Sequence, residues 1–319
     1  MREFTVNKND SDQRMDKYLT KAVPKLPKNL MYKYLRLKRI KLNGKRCEIS
    51  TRLSEGDKIQ LYINDEFFED AVSDKPDFLT APTLKDIIYE DDDILLVNKK
   101  CGLVVHEDDR GSSDTLIKRI LRYLYDKGEY NPEEENSFVP ALCNRIDRNT
   151  SGIVICAKNA ESLRIMNQKV KDREIEKKYL CVTVGIPKVK EATLKAYHIK
   201  SESENMVRIM SEPTPDSKTV ITKYKVIKEN KEKNIALLEV DLVTGRTHQI
   251  RAHLAFEGYP LLGDGKYGIN RVNREYSIKT QALCAYSLGF RFTTDAGVLE
   301  HLNGKTFTID DVWFKSLFN

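Results

Sequence analysis

The chain has 319 residues, with 54 Lys and Arg against 48 Asp and Glu and 40% apolar residues. That is enough for two domains and a sizeable core. No apolar run approaches the ~18 residues of a membrane span, and Met1 to Asp10 lack the apolar stretch of a signal peptide, so a cytoplasmic protein without a membrane partner is expected. Six Cys with no Cys-x-x-Cys pair argue against a zinc ribbon and a disulfide scaffold, and read as reduced core thiols.

The net charge of +6 is unevenly spread: residues 1–61 hold 16 Lys and Arg against 7 Asp and Glu, whereas residues 86–319 hold 36 against 35. The excess suits a polyanion-binding attachment, or a solvated surface that happens to be basic. The first module reads from residue 12 to 63. A short helix starts at Met15-Asp16-Lys17-Tyr18-Leu19 and ends near Pro24 and Pro27. A second, from about Asn29 to Leu37, places Leu30, Met31, Tyr34 and Leu35 on one face and Lys33 and Arg36 on another. Ile40-Lys41-Leu42, the turn Asn43-Gly44 and the alternating 58–63 read as strands. This order resembles the S4-like RNA-binding domain, on Arg14-Met15-Asp16, the basic run Lys33 to Arg39, Leu42-Asn43-Gly44 and Gly56-Asp57. Lys28-Asn29-Leu30 departs from that family's helix entry, although Asn29 can still cap. Lys33, Arg36, Lys38, Arg39 and Lys41 are the candidate contacts to RNA phosphates.

Residues 64–85 are acidic and carry Pro76 and Pro82, so they read as a linker. From residue 86 to 319 strands and helices alternate. Ile94 to Val97 is strand-like, and Ile117, Ile120, Leu121 and Leu124 mark a helix. Residues 126–137 read as a surface loop, Gly152 to Ala157 as a buried strand, and Ala160, Leu163, Met166 and Val170 as a helix. The region 178–240 is strand-rich.

Three segments stand out. Asn144-Arg145-Ile146-Asp147-Arg148-Asn149-Thr150-Ser151-Gly152 sets an acid between two arginines just before a buried strand. It suits a loop presenting an ionised carboxylate, or a surface salt-bridge cluster. Lys177-Lys178-Tyr179 heads a strand. Gly245-Arg246-Thr247-His248-Gln249-Ile250-Arg251-Ala252-His253 places a dense donor cluster at a helix entrance, suited to phosphate or carboxylate. His248 and His253 have the wrong spacing for a same-face metal pair, so no metal site is expected.

Together these segments resemble the RluA-type family of RNA pseudouridine synthases. Its His-Arg-Leu-Asp-x-x-Thr-Ser-Gly pattern corresponds to 144–152, with Asn144 for His and Ile146 for Leu. Its Gly-Arg-Thr-His-Gln-Ile-Arg-x-His is complete at 245–253. Lys99 to His106, Lys178-Tyr179 and Gln281-Ala282-Leu283-Cys284-Ala285 match further segments, with Cys284 for a late His. The resemblance implies an α+β fold with a mixed, mainly antiparallel sheet, tethered to the S4-like module. It implies an isomerase that breaks the uridine N-glycosidic bond and rejoins the base through carbon-5. Asp147 would be the catalytic carboxylate, attacking the anomeric carbon or promoting a glycal. Arg246 would pair with it, Tyr179 would stack on the flipped base, Arg145 would fill the gap left by that base, and Leu283 would pack on it. No metal or organic cofactor is needed. The expected partner is RNA, with large-subunit ribosomal RNA the commonest target of family members that carry this module, and the expected state is a monomer. Two rivals stay open: a non-catalytic RNA-binding protein, which the presence of Asp147 disfavours, and a nucleosidase. The second usually needs another carboxylate, which neither motif supplies.

Overall fold

A computed structural model describes residues 1–68, 76–107, 114–201 and 206–319. The N-terminal unit contains β1 (Arg2–Thr5), α1 (Met15–Ala22), α2 (Lys28–Arg36), β2 (Ile40–Leu42), β3 (Lys45–Arg46) and β4 (Lys58–Leu61). Its sheet runs β1-β4-β2-β3. Strand β1 lies before residue 12, the expected start of the module, and pairs antiparallel with β4. Asn43 and Gly44 take φ of 51° and 75°, the left-handed pair that a tight hairpin needs and that Asn-Gly tolerates. Asn29 does not cap α2: Pro27 holds the cap position and Asn29 lies inside the first turn. Met15, Tyr18, Leu19, Met31 and Leu35 bury the inner faces of both helices against Ile40, Ile59 and Leu61.

The expected linker is anchored at both ends. Phe67 and Phe68 pack on the N-terminal core, and Phe78 and Leu84 join the core of the larger unit. Residues 69–75 of that stretch lie outside the described residues.

The larger unit adds β5 (Ile87–Glu90), β6 (Ile94–Lys99), α3 (Leu116–Asp126), β7 (Ala141–Leu142), β8 (Ser151–Ala157), α4 (Ala160–Lys171) and β9 (Ile175–Val184). After these come β10 (Glu191–Ser201), β11 (Met206–Met210), β12 (Lys218–Asn230), β13 (Ile235–Leu242), α5 (Gln249–Phe256), α6 (Asn270–Glu275), β14 (Leu283–Phe290) and β15 (Thr306–Thr308). One sheet of 11 strands runs β11-β10-β12-β13-β9-β14-β8-β6-β5, with β15 beside β14 and β7 beside β8. Among the described residues its single parallel pair is β14 with β8, where Cys284 faces Ser151 and Ala285 faces Gly152. Gly152 has φ 124°, and a Cβ there would overlap the Ala285 backbone, so only glycine lets the two strands meet. The fold class is α+β with a mixed, mainly antiparallel sheet, as the resemblance implies.

The period of two explains the unbroken apolar runs in the central strands. Ile94, Leu96, Ile153, Ile155, Leu180, Val182 and Leu237 enter a core on one face, which also holds Met166 of α4. Their neighbours enter the other face, covered in two patches. Leu95, Val97, Val154 and Cys156 lie under α3. Tyr179, Cys181, Leu238, Val240 and Leu283 pack with Ile250 and Leu254 of α5. Ile146 touches both patches, so the loop before β8 sits in the seam between α3 and α5, beside the parallel strand pair.

The loop 126–137 does more than cover the surface, because it docks the N-terminal unit. Asn136 Nδ2 and Ser137 Oγ donate to the Asp10 carboxylate at 2.7 and 2.6 Å, and Glu135 accepts from Asn7 and Asn9. Asn9 also accepts the N–H of Ala160, at the start of α4. Among the described residues, no helix is long and apolar enough to cross a membrane.

Candidate active site

The 144–150 loop is tied down along its backbone. Asn144 accepts the N–H of Ile155 at 2.8 Å and donates to the Ile153 carbonyl, so this departure from the family pattern anchors the loop to β8. The Arg148 carbonyl accepts from Lys99 Nζ at 2.9 Å and from the Gly102 N–H at 3.0 Å. Lys99 is fully buried, and its ammonium also donates to the carbonyls of Lys100 and Leu103. Burial pulls its pKa down to about 8, against the charge of Asp147. Gln281, just before β14, donates to Thr150 Oγ1 at 3.0 Å. Asp147 thus projects from a fixed loop, its side chain 28% exposed.

The arginine that holds Asp147 is Arg251 and not Arg246. Arg251 Nη1 donates to Asp147 Oδ2 at 2.8 Å. Its Nε and Nη2 donate to both oxygens of Asp264, at 2.7 and 3.0 Å. Arg246 precedes α5, in an exposed turn whose N–H donates to Gln249 Oε1. Arg251 is the third residue of the helix, between the buried Ile250 and Leu254, which aims it at the seam. Burial opposes the charge on Arg251, but its hydrogen bonds and charge contacts with Asp264 and Asp147 outweigh that and raise its pKa. Burial likewise works against the Asp264 carboxylate, and Arg251 with the N–H groups of Lys266 and Tyr267 brings its pKa down. Once the helix is known to start at Gln249, the apolar positions beside Arg251 bury it, and a buried arginine needs carboxylates.

Tyr179 sits mid-strand in β9, not at its head, and is 7% exposed. Burial, with the charge of Asp147 added, raises the pKa of its phenol. Leu283 lines the same patch at the start of β14. Cys284 faces the opposite core, so that departure from the family pattern is a packing residue. Arg145 is exposed, and its charge reaches His106. Lys33, Arg36, Lys38 and Arg39 are exposed on the N-terminal unit and Lys41 is half-buried, with Arg39 over Tyr34 and Lys41 over Tyr62.

His248 and Tyr267 complete the site. His248 Nε2 lies 3.9 Å from Asp147 Oδ2, and its Nδ1 is 2.9 Å from Tyr267 Oη. The ring of Tyr267 lies under the Arg251 guanidinium. His253 turns Nδ1 to Thr222 behind the helix, with burial pulling its pKa down to about 4. Among the described residues, no group of three or more His, Cys, Asp or Glu converges as metal ligands would. The arrangement presents one accessible carboxylate, charge-matched by a buried arginine, beside an aromatic ring. It is equipped to stabilise or attack an electron-poor carbon next to a stacked planar group.

Residues 93–256 match the family described as RNA pseudouridylate synthase. An uncharacterized RNA pseudouridine synthase of Mycoplasma genitalium is 32% identical over 297 residues, covering 90% of this chain and 88% of the relative. Ribosomal large subunit pseudouridine synthase C of Rickettsia bellii is 34% identical over 271 residues, covering 81% of this chain and 84% of the relative. The solved structure of Human RNA Pseudouridylate Synthase Domain Containing 1 shares the fold at TM-score 0.57 and 23% identity, over 73% of this chain and 85% of that one. The chain belongs to the RNA pseudouridine synthases, a family of isomerases.

Proposed function

We propose that the chain is an RluA-type enzyme that isomerises uridines of large-subunit ribosomal RNA in the cytoplasm, with Asp147 as its catalytic carboxylate. The observation that carries this reading is the 2.8 Å contact from Arg251 to Asp147, beside Tyr179 in one seam. Asp147 acts at the anomeric carbon, either as nucleophile or by promoting a glycal. Tyr179 and Leu283 form the surface on which the extruded base rests. Arg145, exposed at the mouth, takes the place the base leaves in the RNA, which offsets part of the few kcal/mol of unstacking. Arg246, exposed at the turn before α5, is left for the RNA backbone. The N-terminal unit, read as S4-like, grips phosphates through Lys33, Arg36, Lys38, Arg39 and Lys41. The ribosomal target rests on the name of the Rickettsia relative. The reaction is redox-neutral, so the proposal includes no metal or organic cofactor.

The test is a pseudouridine map of ribosomal and transfer RNA from cells with the gene, without it, and with Asp147→Asn. Sites in large-subunit RNA should vanish in both altered strains, while the purified variant folds normally and binds RNA near the wild-type level. Turnover by Asp147→Asn within tenfold of wild type would sink the role of Asp147. Loss confined to transfer RNA would move the substrate.

A further inference from the structure

His248 has no role in the reading above, yet the fold holds it in a costly conformation. It takes φ 52° and ψ 20° at the entry to α5, the left-handed region that a side chain with a Cβ normally avoids. Its ring is set by Tyr267. The Tyr267 oxygen already accepts the N–H of Val207, from β11, at 2.9 Å. Among the described residues, the acceptor offered to the phenol hydrogen is His248 Nδ1, at 2.9 Å. With Nδ1 accepting, the proton of a neutral ring sits on Nε2. That N–H points to the Asp147 side of the seam, 3.9 Å from Oδ2, too far to be used up in a hydrogen bond to it. The groups around the ring are Asp147, Arg251, Lys266, Asp264 and Tyr267. Burial lowers its pKa more than Asp147 raises it, so near neutral pH the ring is a donor that leaves the charge of Asp147 uncancelled.

We propose that His248 is a catalytic residue that donates its Nε2 hydrogen to uracil O2 as the glycosidic bond breaks, and to O4 after the base has turned. The inference rests on the isomerase reading, with Asp147 at the anomeric carbon. When the C1′–N1 bond breaks, its electron pair stays on the base and spreads onto O2 and O4. Of the two oxygens, O2 is nearer the anomeric carbon. A half-turn about the C6–N3 line exchanges N1 with C5 and O2 with O4. One fixed donor therefore meets an equivalent oxygen before and after the turn. As the C1′–C5 bond forms, the bond from C1′ to Asp147 breaks or, on the glycal route, Asp147 returns the proton it took from C2′. C5 then gives its proton to solvent water, N1 takes one from water, and the composition of the RNA is unchanged. A preorganised donor to developing charge of this kind lowers the barrier without reorganising.

The experiment measures single-turnover rates on an RNA that the wild type modifies, made with uridine or with 2-thiouridine at the target, because sulfur accepts hydrogen bonds poorly. His248→Ala should slow the uridine reaction by about 100-fold with RNA affinity within about threefold, and His248→Gln, which keeps an N–H near Nε2, should recover about tenfold of it. The penalty for sulfur should be about tenfold larger in the wild type than in His248→Ala. Tyr267→Phe, which releases Nδ1 to take the proton, should show a reduced sulfur penalty without any change at His248 itself. Equal sulfur penalties in wild type and variants, or His248→Gln no faster than His248→Ala, would overturn the proposal. A wild type that makes no pseudouridine from uridine, or an Asp147→Asn that still does, would instead remove the reading beneath it.

Discussion

Residues 33–41 and helix α5 use cationic side chains in opposite ways. Lys33, Arg36, Lys38 and Arg39 stand in solvent on a unit with its own apolar core. Arg251 is 6% exposed, and its guanidinium is divided between Asp264 and Asp147. Exposed charges add little to stability, but they speed and strengthen association and fade with salt. An enclosed, hydrogen-bonded pair is insensitive to salt, and it fixes geometry at the cost of desolvation. Ionic strength should therefore separate the two: RNA affinity falls as salt rises, while the rate of the bound complex holds.

The largest way to break that contrast is Asp264→Asn. It leaves Arg251 with one carboxylate where it had two, and Asp147 loses a rigid partner. Single-turnover rate should fall by about 100-fold or more, and unfolding free energy by about 3 kcal/mol. RNA affinity should change by less than threefold. An unchanged rate would mean that Arg251 needs only Asp147 to hold its place. A middle-sized effect is expected from replacing Lys33, Arg36, Lys38 and Arg39 together with Gln. KM on a large folded RNA should rise by roughly 10- to 50-fold with kcat nearly constant, and the salt slope should flatten by about 0.7–0.9 for each phosphate that is no longer neutralised. An unchanged slope in filter binding would detach that face from the RNA.

The smallest effect concerns pH. Lys99 titrates near 8, and its charged form supplies three N–H groups to carbonyls that include Arg148 of the 144–150 loop. The neutral amine supplies two, so kcat should fall a few-fold as pH rises through that value. Stability should move the other way. Between about 8 and 10.5 the unfolded chain keeps a proton that the folded one has released, so the unfolding free energy contributed by this group rises with pH. Lys99→Met should lose both trends, read from a kcat–pH profile and from urea midpoints.

Much of this was legible in the chain because short-range patterns carry it. The apolar positions 117, 120, 121 and 124 foretell α3, Asn43-Gly44 foretells the hairpin, and the run Gly152 to Ala157 foretells a strand buried on both faces. Strand β1 was not legible: Arg2 to Thr5 has too little alternation, and its reason for being a strand is β4, more than 50 residues away in the sequence. The choice between Arg246 and Arg251 is similar. Both stand in one motif, and what separates them is a helix start set by the Gln249 side chain, which binds the Arg246 N–H and the Thr244 hydroxyl. Asp264 has no meaning until α5 is packed. Nor could spacing show that the loop 126–137 grips Asp10 and the asparagines beside it.

The parallel seam between β8 and β14 also bears on how the molecule comes into being. The apolar core of the N-terminal unit is drawn entirely from residues 4–68. The contact of Arg251 with Asp147 spans 104 residues, and the seam joins Ser151 to Cys284. Loops of that length close slowly, and during synthesis they cannot close until the distal strand exists. A growing chain thus displays its cationic face well before Asp147 and Arg251 can meet, and any chain that stops short of β14 lacks the parallel seam altogether.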